Sequence, residues 1–279
     1  MISLEELVRK VDDIPVFPHT VTKIINLTDN PDSSIDDIEK EILMDSSLTA
    51  RVLRMANSAY YGVQRKISTV SDAVILLGFQ AVKSMVLSAT VSKIMAKELP
   101  GYGFQRDALW KQSLAAAICA RLIARKARYS KPDQAYIAGL LRDIGKVILD
   151  YYLTEQYKSI IEMVDSQNIS FVEAEEKILG YNHGEIGAKI AEKWNLPQEL
   201  VEAIAHHHDP EAEVINPKLV AITHVADAIV MMVGIHLGSD GLSYGFSSQA
   251  MEILGLDEFM LQDIMSELVN ILADEELIS

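Results

Sequence analysis

Apolar residues recur three and four positions apart along most of this chain, and no segment alternates apolar with polar residues as a strand would. The stripe nearest the C-terminus consists of Leu261, Ile264, Leu268 and Ile271. A serine followed three residues later by an acidic residue marks a helix start at Ser3, Ser34 and Ser170. The sequence therefore predicts an all-α protein.

One break in the helical pattern is clearer than the others. Residues 100–103 have the sequence Pro-Gly-Tyr-Gly, which combines the two strongest local breakers of helices. With 279 residues, the chain is long enough to form either one large core or two lobes. We therefore predict two helical lobes, one at residues 1–99 and the other at residues 104–279.

The chain is strongly acidic, with 40 Asp and Glu residues against 25 Lys and Arg residues and a formal net charge of −15. This balance repels phosphate backbones, so it argues against a broad nucleic-acid surface and leaves room only for a small basic patch. The apolar runs are too short to span a bilayer, which argues against a membrane protein. The lone Cys119 and the absence of signal-peptide regions predict a cytoplasmic protein.

A charged pair, Arg142 and Asp143, lies in the middle of an apolar stretch. Leu140 and Leu141 precede it, and the apolar residues 147–149 follow it. Charged side chains are seldom buried unless they are paired or bind something. Two interpretations are open at this point: a structural ion pair at a helix end, or part of a functional site.

Several longer segments carry a family resemblance. In the N-terminal half they are residues 14–18 (IPVFP), 42–53 (ILMDSSLTARVL), 56–61 (ANSAYY) and 67–78 (ISTVSDAVILLG). Further segments follow at residues 139–145, 180–183, 194–197, 207–210 and 226–227. Together they resemble the HDOD domain family, a signalling relative of the HD-domain phosphohydrolases. The resemblance implies a two-lobed helical bundle whose C-terminal lobe is HD-like.

The same resemblance implies where a metal centre would lie. Catalytic HD relatives take a first histidine from an early helix, then use an adjacent His-Asp pair, further histidines and a late aspartate. In this chain Gln112 and Arg142 stand at the positions of the first two histidines. The other pocket positions keep the expected residue types, and these are Asp143, His183, His207, His208 and Asp227.

The two replacements argue against hydrolytic chemistry. Neutral imidazole ligates a metal through a ring nitrogen, whereas the guanidinium group of Arg142 is always charged and has no acceptor. Gln112 offers only a weakly ligating amide oxygen. We therefore expect no paired metal centre, and we assign no catalytic residue.

Two interpretations of the remaining cluster stay open. Its members are either hydrogen-bonded relics or the ligands of one divalent transition metal (Fe, Mn or Zn), since imidazole suits such ions. The nearby guanidinium of Arg142 favours the first interpretation, a hydrogen-bonded cluster that holds no metal, because its positive charge disfavours a cation beside it. The candidate ligands are Asp143, His183, His207 and His208.

Arg142 is expected to act as a built-in cation. Two carboxylates in a partly dry pocket repel each other, and a guanidinium can relieve that repulsion by hydrogen bonding to them. Adjacent residues on a helix point about 100° apart. Arg142 is therefore expected to reach Asp227 or another acidic group across the pocket, and not to pair with Asp143 alone.

Two functions follow from the resemblance. The favoured one is a non-catalytic bacterial regulator that engages signalling proteins through its N-terminal lobe, in two-component or cyclic-dinucleotide pathways. The alternative is a metal-dependent phosphohydrolase, acting on a nucleotide or a cyclic dinucleotide through a reduced metal site. The missing ligands at Gln112 and Arg142 weigh against the second, because a metal-activated water needs its ligands in place.

Overall fold

The computed structural model describes Leu7 and residues 17–152, 154–235 and 245–274. Within these residues regular structure is helical, and the only extended pairing is an isolated bridge between Leu99 and Phe104. The all-α prediction is therefore confirmed. The helix start predicted at Ser3 lies outside the described residues.

The described chain divides into two compact units. The smaller unit contains residues 17–94 and 270–274, and the larger contains Leu7 and residues 95–152, 154–235 and 245–269. The lobe limits at residues 99 and 104 stay a prediction. None of the described helices combines the length and the hydropathy that a bilayer crossing requires.

The smaller unit holds the starts of the first five helices. The Ser34 hydroxyl accepts a hydrogen bond from the Asp37 amide, and the Asp37 carboxylate accepts one from the Ser34 amide, which confirms this capping box. The Asp45 carboxylate caps the next helix by accepting from the Leu48 amide. These helices are α1 (His19–Asp29), α2 (Ile35–Leu43), α3 (Ser46–Ala56), α4 (Val70–Leu77) and α5 (Phe79–Met95).

A single side chain, that of Asn57, closes the loop after α3. Asn57 Nδ2 donates to the carbonyl oxygens of Leu53 and Ile67 at 2.7 and 2.8 Å, and Asn57 Oδ1 accepts from the Ile67 amide at 2.8 Å. The side-chain amide thus pairs with both backbone groups of Ile67. It fixes the far end of loop 58–66 against the last turn of α3.

Asn57→Ala should lower the free energy of unfolding by about 1–3 kcal/mol, because both backbone groups of Ile67 lose their partner. Urea denaturation followed by circular dichroism measures this loss. Asn30→Ala is the matched control, since the Asn30 side chain accepts one exposed hydrogen bond, from the Asp32 amide. A loss no larger than that of the control would contradict the role given to Asn57.

The larger unit contains the remaining helices, and the last of them ends within the smaller unit. Gly139 lets α7 lie close to α6, because a Cβ atom there would lie 2.6 Å from the Ala116 carbonyl oxygen. The capping box predicted at Ser170 is confirmed, with Glu173 as its partner. The helices are α6 (Ala108–Lys126), α7 (Pro132–Leu141), α8 (Gly145–Tyr152), α9 (Thr154–Gln167), α10 (Phe171–Leu179), α11 (His183–Lys193), α12 (Gln198–Ala205), α13 (Pro217–Val233), α14 (Ser248–Leu254) and α15 (Glu258–Asp274).

Helix ends in the larger unit supply most of the pocket residues predicted from the sequence. Arg142 and Asp143 lie in the short turn between α7 and α8, and His183 is the first residue of α11. His207 and His208 follow the end of α12. Two further pocket residues, Gln112 and Asp227, lie within α6 and α13. The fold thus brings together residues that are far apart in the sequence.

Candidate functional site

A fully buried guanidinium lies at the centre of the site. The side chain of Arg142 is 0% exposed, and its Nε lies 2.5 Å from Asp227 Oδ1. Its Nη2 lies 3.1 Å from Asp143 Oδ2, and its Nη1 donates to the Gly139 carbonyl at 3.2 Å. Arg142 therefore bridges two buried carboxylates that lie on different elements.

The sequence predicted that Arg142 would reach Asp227 or another acidic group across the pocket, and the structure shows the contact with Asp227. Arg142 also forms an ion pair with its neighbour Asp143. The expectation that the pair would point apart assumed helical geometry at both residues. Helix α7 ends at Leu141, and Asp143 lies in the following turn. The turn brings the two neighbouring side chains within ion-pair distance.

Gln112 approaches the same guanidinium from α6. Its Oε1 lies 3.5 Å from Arg142 Nη2, a long contact, and its Nε2 lies 3.5 Å from the Ile235 carbonyl oxygen. The side chain is completely buried. Gln112 and Arg142, which stand at the positions of two histidines, are thus in polar contact with each other.

Beside the guanidinium, four side chains converge on one point. One ligand atom from each of Asp143, His183, His207 and His208 lies within 4.8 Å of the others. His183 Nε2 lies 2.9 Å from His208 Nε2 and 3.2 Å from Asp143 Oδ1. His207 Nε2 lies 3.8 Å from Asp143 Oδ1.

The rings of His183 and His207 are each oriented by a hydrogen bond at Nδ1. That atom lies 2.8 Å from Glu175 Oε2 in His183 and 2.8 Å from the Ile204 carbonyl oxygen in His207. In the neutral ring, a proton on Nδ1 leaves Nε2 as the lone-pair atom. Both Nε2 atoms face Asp143, which is the orientation that a metal ligand needs.

The two imidazoles have opposite acid–base properties. Burial lowers the pKa of His183, but the Glu175 carboxylate, its hydrogen bond to Nδ1 and the nearby Asp143 carboxylate outweigh it and raise that pKa to about 9. Burial lowers the pKa of His207 to about 4. At neutral pH and without an ion, His183 therefore carries a proton that metal binding would displace, whereas His207 is neutral.

Two buried atoms of the cluster lack a well-aligned hydrogen bond. They are Asp143 Oδ1 and His207 Nε2. Lys146 Nζ and His183 Nε2 lie 3.1 and 3.2 Å from Asp143 Oδ1, but they are ion-pair contacts without hydrogen-bond alignment. Buried polar atoms are nearly always paired, so this donor set fits a single cation.

Sequence reasoning missed Lys146, a second buried cation. Its side chain is 4% exposed, and its Nζ lies 3.1 Å from Asp143 Oδ1. The same Nζ lies 5.4 Å from the centre of the Tyr102 ring. The position of Lys146 three residues after Asp143, across a turn, was the one sequence feature that could have indicated this ion pair. Burial raises the pKa of Asp143, but Arg142 and Lys146 outweigh it and hold that pKa well below its usual range.

Sequence reasoning also missed Glu175, which is fully buried in α10. Glu175 Oε2 accepts from the His183 amide at 2.9 Å, and Glu175 Oε1 accepts from the Tyr102 hydroxyl. Nothing in the local sequence separates this glutamate from the exposed acidic residues around it. Its role follows only from the packing of α10 beside the start of α11.

The charges of the site nearly balance without a metal. Three carboxylates (Asp143, Glu175 and Asp227) face two fixed cations (Arg142 and Lys146), so one negative charge remains when the imidazoles are neutral. A proton on His183 neutralises that charge. A divalent ion that displaced this proton would leave one excess positive charge. The site can therefore hold one ion but does not need one for neutrality.

The comparisons with known proteins agree with this fold. The HDOD domain family model matches residues 14–210. The crystal structure of an HDOD domain protein of unknown function from Geobacter sulfurreducens has a TM-score of 0.80 and 30% identity, and the match covers 97% of each chain.

Two further solved structures share the fold at lower identity. A candidate phosphohydrolase from Shewanella amazonensis SB2B has a TM-score of 0.75 and 23% identity, over 98% of this chain and 96% of that one. A candidate signal transduction protein from Marinobacter aquaeolei VT8 has a TM-score of 0.76 and 24% identity, over 100% of this chain and 62% of that one. The chain spans 38% of the length of a Treponema pallidum relative, with 28% identity over 205 residues.

Proposed function

This chain belongs to the HDOD domain family, and we propose that it is a non-catalytic regulatory module that acts through protein partners. The observation that carries the proposal is the buried Arg142 guanidinium, paired with Asp143 and Asp227. The name of the Marinobacter protein, a candidate signal transduction protein, is compatible with this role. We place the module in the bacterial cytoplasm, where components of two-component or cyclic-dinucleotide pathways are its candidate partners.

Arg142 argues against hydrolysis in two ways. A guanidinium has no lone pair for a metal, so this position contributes no ligand. Its positive charge also lies against the two carboxylates that a second cation would need, and two-metal hydrolases hold their ions only about 3.5–4 Å apart. A paired centre is therefore disfavoured both by ligand number and by charge.

We expect no metal-dependent phosphodiesterase turnover from the purified protein. The assay uses a cyclic dinucleotide and a generic phosphodiester substrate with added Mn²⁺ or Fe²⁺, because both ions suit mixed His and carboxylate ligands. Asp143→Ala is the comparison variant, since it removes the central carboxylate. Turnover that requires metal and disappears in Asp143→Ala would overturn the proposal.

Restoring both histidines should restore metal binding. Gln112→His combined with Arg142→His adds two ligands and removes the fixed charge, so Mn²⁺ affinity should rise by about tenfold or more. Isothermal titration calorimetry measures it. Gln198→His combined with Arg125→His makes the same substitutions at exposed positions and serves as the control. Equal affinity in the two double variants would show that Gln112 and Arg142 do not limit metal binding.

The second candidate function is a metal-dependent phosphohydrolase with a reduced site. It is favoured by the two buried atoms without aligned hydrogen bonds, Asp143 Oδ1 and His207 Nε2. One Fe, Mn or Zn ion would be held by Asp143, His183, His207 and His208. Such an ion supplies Lewis acidity and lowers the pKa of a bound water. Metal analysis of the purified protein, before any substrate is chosen, is the first measurement that separates the two functions.

A further inference from the structure

A basic segment interrupts this acidic chain. Residues 46–71 contain no Asp or Glu, although the whole chain has 40 such residues. The same segment carries four basic residues, which are Arg51, Arg54, Arg65 and Lys66. It consists of α3, the loop after α3 and the start of α4.

These basic side chains are mostly exposed to solvent, and few carboxylates lie close enough to offset their charge. Arg54, Arg65 and Lys66 are exposed, and Arg51 is half-buried. Among the described residues the only carboxylate within 4 Å of any of them is Asp72, which lies 3.8 Å from Arg65. Arg51 instead donates to the Ser47 hydroxyl and carbonyl oxygens.

Several surface lysines elsewhere in the chain are paired with acidic residues, whereas others, such as Lys158 and Lys177, have no such pair among the described residues. Lys131 lies 3.4 Å from Glu199, and Lys189 lies 2.9 Å from Glu192. Lys23 and Lys126 form similar pairs. The basic segment is therefore unusual in its composition, because four basic residues occur there with no acidic residue among them.

The Asn57 amide brings the helical and loop parts of the segment together. The Asn57 side chain hydrogen-bonds to Leu53 and to Ile67 and so holds these two backbone segments together. Arg54 follows Leu53 and Lys66 precedes Ile67, so the two basic residues lie on adjacent segments of the backbone. The loop so closed contains Tyr60 and Tyr61, whose rings pack edge to face with centroids 4.9 Å apart. We call these six residues the basic loop surface: Arg51, Arg54, Tyr60, Tyr61, Arg65 and Lys66.

A purely structural explanation covers only part of the basic loop surface. A basic residue in the last turn of a helix is favoured by the helix dipole, and Arg54 occupies that position in α3. The same reasoning does not apply to Arg65 and Lys66, which lie in the loop. Arginine and tyrosine are also, with tryptophan, the residue types enriched among the residues that contribute most binding energy at protein interfaces.

We propose that the basic loop surface binds an acidic segment of a partner protein. Uncompensated arginine and lysine side chains can pair with the carboxylates of Asp and Glu residues on a peptide. The aliphatic parts of those Asp and Glu side chains can pack on the half-buried tyrosine rings. Nucleic acid is the less favoured occupant, because a long polyanion would extend beyond the basic loop surface onto a chain whose net charge is −15, whereas a short acidic segment need not. The inference rests on the proposed regulatory role, for which it names the partner chemistry.

The test measures binding of a short fluorescent Glu- and Asp-rich peptide to the full chain by anisotropy. Arg54→Glu combined with Lys66→Glu should weaken binding by about tenfold or more, and high salt should weaken binding to the wild-type protein. The control, Lys158→Glu combined with Lys177→Glu, makes the same change of net charge at exposed positions on α9 and α10. It should alter binding by less than about twofold. Circular dichroism of each variant checks that the fold is retained.

The outcomes separate this inference from the proposed function. Equal losses in the two double variants, or no peptide binding by the wild-type protein at low salt, would overturn the inference. Tighter binding of a single-stranded oligonucleotide, lost in the same variant, would replace the peptide by nucleic acid. The phosphodiesterase assay on the same preparations is independent of these results, so turnover would remove the regulatory proposal without touching the binding data.

Discussion

Arg142→Ala should lower the free energy of unfolding by about 3–5 kcal/mol, because the substitution leaves two buried carboxylates without their shared cation. The guanidinium of Arg142 is 0% exposed and contacts both Asp143 and Asp227. Lys146 would still face Asp143, but no other cation lies within ion-pair distance of Asp227 among the described residues. Urea denaturation at neutral pH measures the loss.

Two further variants separate charge from volume. Arg142→Met keeps most of the side-chain volume and removes the charge, so it should be destabilised nearly as much as Arg142→Ala. Arg125→Ala removes an exposed arginine and should change stability by less than about 1 kcal/mol. If Arg142→Met were as stable as the wild-type protein, the guanidinium would matter for packing and not for charge.

Gly145→Ala should destabilise the fold by at least about 3 kcal/mol, at the upper end of the cost of overpacking. A Cβ atom at this position would lie 1.9 Å from the His183 carbonyl oxygen and 2.7 Å from the Gly187 amide nitrogen. Both are backbone atoms of α11, so no side-chain rotation relieves the clash. Helices α8 and α11 would have to separate, which would also displace His183 from Asp143.

The matched control for this substitution is Gly245→Ala. No heavy atom lies within 4 Å of a Cβ atom built at Gly245. Thermal unfolding of the two variants should therefore give a large drop in Tm for Gly145→Ala and little change for Gly245→Ala. Equal midpoints would show that the backbone around His183 can move apart at small cost.

The fold could be predicted from the sequence because its signals are local. Helical spacing of apolar residues and capping boxes, such as those at Ser34 and Ser170, depend on residues a few positions apart. The exact ends of the helices were harder to predict from the sequence. Helix α5 ends at Met95, before the Pro-Gly break that the sequence marks at residues 100–103, since a helix end depends on contacts that the local sequence does not encode.

The site could be predicted only where a motif or resemblance marked its residues. Arg142, Asp143 and the histidines were found in this way, and the structure brings them together. Glu175 and Tyr102 were not found, because their pairing depends on how α10 packs against the start of α11. An isolated glutamate on a helix has the same local sequence appearance whether it is exposed or holds a histidine ring.

The pairing of Arg142 with Asp143 and Asp227 has a consequence for how far the fold depends on metal supply. An ion bound at this point would be lost to chelators and to iron or manganese starvation, whereas a guanidinium is made with the chain and cannot be stripped from it. Arg142 and Lys146 together thus offset the charges of the two carboxylates without a bound ion. Folding of this centre should therefore depend little on the metal content of the medium, and EDTA should leave the thermal midpoint of the protein as purified unchanged.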